Sequence, residues 1–217
     1  GRSLTGRFVG RINGGTQIRG RLNADGGQTA IHMTSDNAGG ALRDAGLLRQ
    51  ASGGSLTLTL RGSPRGGWRG SATVNDTRIT DAPAVAQVLS AISVVGILEQ
   101  LDGRGLMMDE ILADFQIKDD RFTLYSASSV GPSIGLSLDG FIDLKTRRMD
   151  LQGVVSPFYL VNAIGAIFTR RGEGLLGFNF TLNGPPNDIS VGVNPLSILT
   201  PGLFREIFRR PPPEIVE

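Results

Sequence analysis

The chain has 217 residues, enough to bury a sizeable core, and a composition of 40% hydrophobic and 19% charged residues excludes a disordered polypeptide. The formal net charge is only +2, and of 22 basic residues only Lys118 and Lys145 are lysine. The arginines are spread over nearly every segment without interleaved aromatics, which argues against a nucleic-acid platform. With no cysteine, disulfide frameworks and thiolate metal sites are excluded.

Glycine and proline punctuate the whole chain, as expected for many strands joined by tight turns. One continuous β domain is expected over residues 1–210, followed by a Pro-rich tail at 211–217. The chain opens on Gly1 with no secretory leader, so a mature or excised piece is expected, with any anchor lying outside it.

In chain order, Leu4, Phe8 and Ile12 share one parity, and Ile18 and Leu22 share one parity in the next run, about a Gly14-Gly15 turn. That spacing predicts a hairpin with one apolar and one Arg-rich face, because side chains alternate sides along a strand. Asp25-Gly26-Gly27 turns the chain into a third strand, and residues 37–50 break the alternation with Ala41, Leu42, Ala45 and Leu48 at helical spacing. Leu56, Leu58 and Leu60 then alternate with Ser and Thr, and residues 68–79 return after a turn at 62–67.

Asp81 followed by Pro83 predicts a helix start, with Val85, Val88, Leu89, Ile92, Val95 and Leu98 forming its broad apolar face before Gly103. A strand with Ile111, Ala113, Phe115 and Ile117 on one side turns at Asp119-Asp120 into Phe122, Leu124 and Ser126. Leu136, Leu138, Gly140, Ile142 and Leu144 pair by pattern with Met149, Leu151, Gly153 and Val155 across a charged turn at 145–148. An apolar helix is expected at 158–168, then strands through Phe178, Phe180 and Leu182 and through Ile189, Val191 and Val193, then a last helical turn from about 195 to 209. The uncharged stretches 82–98 and 151–169 approach the length of a membrane span, but Pro83, Gln87, Ser90 and Ser93 interrupt the first and Gln152, Ser156, Pro157 and Asn162 the second. Both read as apolar helices that are buried or lie at an interface.

Chemistry is sparse. His32 is the only histidine, lies inside a strand run and has no nucleophile elbow near it, so a surface or strand-face role is expected. Asp109-Glu110 and Asp119-Asp120 read as solvated turn pairs, and one Trp with two Tyr supplies few sugar platforms for a glycosidase. The glycines between 62 and 70 lack the Lys-Ser/Thr ending of a phosphate loop. No catalytic residue, metal ligand or cofactor is assigned, and a non-enzymatic protein is expected.

About eleven one-faced strands against three or four short helices pose a covering problem. The expected fold class is mainly β: a long curled antiparallel sheet, a groove or open barrel, with the helices packed at its ends or inside.

Several motifs in order carry a resemblance: Asp81-Ala82-Pro83 before an apolar helix, Leu101-Asp102-Gly103-Arg104-Gly105-Leu106, Gly131-Pro132-Ser133-Ile134-Gly135 and Gly140-Phe141-Ile142-Asp143. Leu151-Gln152-Gly153-Val154-Val155-Ser156-Pro157, Asn183-Gly184-Pro185-Pro186, Val193-Asn194-Pro195-Leu196-Ser197 and Pro201-Gly202-Leu203-Phe204 follow. Over about residues 36–208 the chain resembles the C-terminal region of AsmA-like proteins, the group that includes the YhdP- and TamB-related envelope proteins. It departs from that pattern by lacking a second proline-glycine pair within 158–171.

The resemblance implies the distal end of a periplasmic protein anchored in the inner membrane by an N-terminal helix, conducting phospholipid along a β-groove and supporting outer-membrane homeostasis. The implied groove residues are Leu56, Leu58, Leu60, Phe115, Ile117, Leu136, Leu138, Ile142, Leu151, Phe178 and Phe180. A membrane-contact or plug helix would use Phe158, Tyr159, Ile164, Ile167, Phe168, Arg170 and Arg171. The expected partners are phospholipid, a bacterial membrane surface and an envelope protein. The alternative is a structural or assembly module that docks a protein partner by adding a strand at its sheet edge.

Overall fold

A computed structural model describes residues 3–81, 83–92, 97, 103–157, 176–185, 188–199 and 209–214. The chain begins with β1 (Leu4–Arg11), β2 (Gln17–Asp25) and β3 (Gln28–Ser35), followed by helix α1 (Ala38–Asp44) and the two-residue β4 (Ala51–Ser52). β5 (Ser55–Ser63) and β6 (Gly67–Ile79) lead to helix α2 (Pro83–Ala91). Then come β7 (Leu106–Lys118), β8 (Arg121–Val130), β9 (Ile134–Asp143), β10 (Met149–Pro157), β11 (Phe178–Gly184) and β12 (Ser190–Asn194).

All twelve strands form one antiparallel sheet whose spatial order follows the chain, with β4 continuing the β5 position by pairing with Arg78 and Ile79 of β6. Tight turns enforce this meander. At the β7–β8 turn Asp119 and Asp120 both adopt left-handed φ, 50° and 58°, which matches the right-handed twist of the strands they join. The β9–β10 turn is closed by the Asp143 carboxylate, which accepts from the Lys145 and Thr146 amides at 3.0 and 2.7 Å.

The strand pattern is as expected, but the curl is not. The sheet is neither closed nor strongly curled: β1 and β12 are its two edges and do not pair. Curvature and closure need bulges or kinks repeated round a sheet. Here a shift of register is confined to β8, where Tyr125 is an extra residue relative to both neighbouring strands. That bulge also corrects the expected face of β8: Leu124 and Ala127, not Leu124 and Ser126, pair with the apolar positions beside them. A second irregularity lies at Asp76, which adopts φ 55°; Val74 is buried before it and Thr77 and Ile79 after it, so the alternation changes phase there.

The described α-helices number two: α1 is shorter than its apolar pattern, and of the second expected helix residues 93–96 and 98–102 lie outside the described residues. α1 starts under an Asn37 cap, whose side chain accepts from the Gly40 amide at 2.9 Å. It stops before Gly46, whose left-handed φ of 71° ends the helix that the spacing of Ala41, Leu42, Ala45 and Leu48 extends to residue 50. Gly39 of α1 packs so closely on β4 that a Cβ would lie 2.3 Å from Ser52 Cα. The expected helix at 158–168 lies outside the described residues, and the last helix is described only as a 3-10 turn, Pro195–Leu199. Asp109 and Glu110 lie within β7, not in a turn.

Two clusters form the core. In one, Val88 and Leu89 of α2 with Ile97 pack on Leu151, Val155, Phe180 and Leu182 of β10 and β11, beside Ile79, Leu106, Met108 and Ile134. In the other, Ala38 and Ala41 of α1 cover Leu56 and Val74. Among the described residues no helix is long and apolar enough to cross a membrane.

Candidate functional site

Residues directly paired in an antiparallel sheet project to the same face, so the register assigns every strand residue to a side. One row runs from edge to edge. Phe8, Gly20, Met33, Leu58 and Ala72 are partnered in turn across β1 to β6, and Ala113, Ala127, Leu138, Gly153, Phe180 and Val193 continue across β7 to β12. No member of this row is polar.

The next row on the same face begins Gly6, Leu22, Ile31, Leu60, Gly70 and ends Phe115, Leu124, Gly140, Leu151, Leu182, Val191. A third passes through Trp68, Ile117, Phe122, Ile142 and Met149. A fourth passes through Leu56, Val74, Ile111, Ser129, Leu136, Val155 and Phe178. All eleven expected groove residues therefore lie on one face, in these four rows.

The opposite face is polar: Arg7, Arg21, His32, Thr59, Ser71 and Asp114 form one row across β1 to β7. His32 is exposed there, beside Arg21 and Thr59, as a strand-face residue. Among the described residues no cluster of three or more His, Cys, Asp or Glu is placed to hold a metal ion.

Coverage of the apolar face is uneven. α2 lies against β12 and shares a buried cluster with β10 and β11, and α1 covers one end at β5 and β6. Met33, Leu58, Leu60, Trp68, Ile117 and Phe122 are half-buried and belong to neither cluster. Phe115 and Leu124 are buried, and the Phe115 ring stacks on Phe122 with centroids 5.0 Å apart and lies over Gly70. Phe158, Tyr159, Ile164, Ile167, Phe168, Arg170 and Arg171, the expected membrane-contact or plug residues, lie outside the described residues.

The polar face carries an arrangement that the sequence pattern did not single out. Arg209 and Arg210 lie against it at β9 and β10, held by a buried ion pair between Arg209 and Asp139. The Gln152 side chain donates to Asp139 Oδ2 at 2.8 Å and to the Arg210 carbonyl at 2.7 Å, and accepts from the Arg210 amide at 3.1 Å. Arg210 grips Asp150 with both terminal nitrogens, at 2.9 and 2.7 Å. Gln152 and Arg210 are 58 residues apart, so no local spacing could have announced the contact.

Charges at this end of the sheet are tuned by hydrogen bonds. The Arg210 hydrogen bond holds the Asp150 carboxyl below its usual range, and the same bond raises the Arg210 guanidinium. The Thr146 amide and hydroxyl lower Asp143, and Asp120, 2.8 Å away, raises the Lys145 ammonium. At the other end, bonds from Thr16 lower Asp44.

No protein-family model, curated protein or solved structure matches the chain.

Proposed function

We propose that the chain is a non-enzymatic segment of an envelope lipid-transport protein, and that its apolar sheet face shields phospholipid acyl chains from water. The observation that carries this reading is the apolar face, with two rows running from edge to edge and two more across its middle strands, left without a helix over much of β1 to β8 among the described residues. Each methylene laid on such a face gains about 0.8 kcal/mol, whereas a headgroup must stay wet, so a diacyl lipid suits an open apolar floor better than a closed pocket. The resemblance to AsmA-like proteins supports the same reading. Under that resemblance the segment would lie in the periplasm, at the distal end of a protein held to the inner membrane by an N-terminal helix.

A photo-reactive amino acid at position 58 or at position 59 tests it in the envelope of a Gram-negative host. Leu58 is on the apolar face and Thr59 on the polar one. Phospholipid adducts are expected at 58 and not at 59; adducts at neither, or equally at both, would overturn the reading.

The second reading is an assembly module that takes a partner strand. It is favoured by β1, a regular eight-residue edge strand with no partner on its outer side among the described residues, on which Val9 is 67% exposed. In that case a photo-reactive group at position 9 captures an envelope protein while position 58 captures no lipid.

A further inference from the structure

At the hairpin end of the polar face, a shallow cleft of about 340 Å³ is lined by Arg121, Phe141, Asp143, Arg148, Asp150 and Asn183, with Met149 at its edge. Arg121 is the paired neighbour of Asp143, and Arg148 closes the same hairpin by accepting from the Asp143 amide at 2.8 Å. The two arginines therefore flank one position at one level of the sheet. Arg121 is oriented by stacking on the Phe141 ring, 5.3 Å from its centroid.

The carboxylates around the cleft are already engaged. Asp150 is held by both terminal nitrogens of Arg210, Asp143 binds two turn amides, and Asp120 pairs with Lys145. Among the described residues neither Arg121 nor Arg148 forms a salt bridge or a side-chain hydrogen bond. Two exposed guanidiniums in one cleft, beside carboxylates already bound to other donors, make a site for a tetrahedral oxyanion, which guanidinium donors match in geometry as well as charge.

Met149 continues the apolar row through Phe122 and Ile142, so the cleft opens at the rim where the polar face meets the end of the apolar one. We propose that this cleft binds the phosphate of a lipid headgroup between Arg121 and Arg148, with the acyl chains passing Met149 onto the apolar face. The phosphate site stands on the arginines alone; its assignment to a lipid and not to free phosphate rests on the acyl-shielding reading.

Calorimetric titration of the full chain with dihexanoyl phosphatidylglycerol below its micelle concentration, with glycerol 3-phosphate and with inorganic phosphate tests both parts. The short-chain lipid is expected to bind, at least tenfold more weakly to the Arg121→Gln/Arg148→Gln variant, and within twofold of the parent to Arg61→Gln/Arg65→Gln. The latter removes the same charge from exposed positions at the same end of the sheet. All four positions are exposed, so unchanged melting of both variants confirms folding. No binding by any of the three probes, or equal loss in both variants, overturns the site. Inorganic phosphate binding as tightly as the lipid overturns the lipid assignment. Arginine-dependent binding of glycerol 3-phosphate, with no acyl adduct at position 58, would leave the cleft standing and remove the shielding reading.

Discussion

On the apolar face, aromatic rings and glycines are paired across neighbouring strands. Phe8 lies over Gly20, Phe115 over Gly70 and Phe180 over Gly153, and a Cβ built on any of these glycines would meet the ring at 2.4 to 2.8 Å. The glycine lets the ring lie flat on the sheet, which keeps the face low and continuous. At Gly153 the added Cβ would also lie 2.0 Å from the Ser137 carbonyl oxygen. Gly153→Ala is therefore expected to cost about 1–3 kcal/mol, the usual range for overpacking. Gly6→Ala on the same face meets nothing within 4 Å and should be neutral or stabilising by a few tenths to about 1 kcal/mol. Denaturant unfolding of the two variants checks the contrast, and equal effects would contradict it. Two-residue alternation is enough to put these rings and glycines on a common face, but not to say which glycine lies under which ring. That depends on register between strands, and for Gly70 and Phe115 the partners are 45 residues apart in the chain.

Among the elements, β8 shows how one residue can hold a face in phase. Relative to both β7 and β9 it carries one extra residue at Tyr125, so that Leu124 and Ala127, three apart, both join the apolar rows. Deleting Tyr125 would restore two-residue spacing and leave every apolar residue of β8 on its side. The loss would be largely the Tyr125 hydroxyl bond to Gln116, 2.8 Å long, for which about 1 kcal/mol is typical. Deleting Thr123 instead would move Phe122 to the polar face while the bulge stayed, because a one-residue slip turns side chains over. The first deletion is expected to melt cooperatively close to the parent, and the second to lose cooperative melting by circular dichroism; the reverse order would refute this account of the bulge. Turns and strands were legible because they rest on local chemistry, as at Asp119-Asp120. The bulge was not, since Phe122, Leu124 and Ser126 alternate as well as any unbroken strand, and only the neighbouring strands fix the count.

For the whole molecule, the number of one-faced strands was readable, and with it a large apolar surface to be covered. Its shape was not, because curvature comes from bulges and phase changes whose positions are set by cross-strand pairing. The outcome is an open sheet with uneven protection. From Leu151 to Ser156 every residue of β10 is buried, with α2 in the cluster on the apolar side and Arg209 and Arg210 against the polar side. In β1 no residue is buried and in β2 the apolar residues are only half-buried. Local opening follows the contacts that must be broken, so amide hydrogens of β1 to β3 are expected to exchange with solvent faster than those of β9 to β11. If acyl chains cover the apolar face, a lipid below its micelle concentration should slow exchange in β2 to β7, where Met33, Leu58 and Leu60 lie outside both core clusters. It should leave β10 unchanged, because α2 already occupies that surface. Slowing of β1 alone by a protein fraction, without any effect of lipid, would instead favour edge pairing, because strand addition protects the outer amides of β1 and leaves the middle of the face as exposed as before.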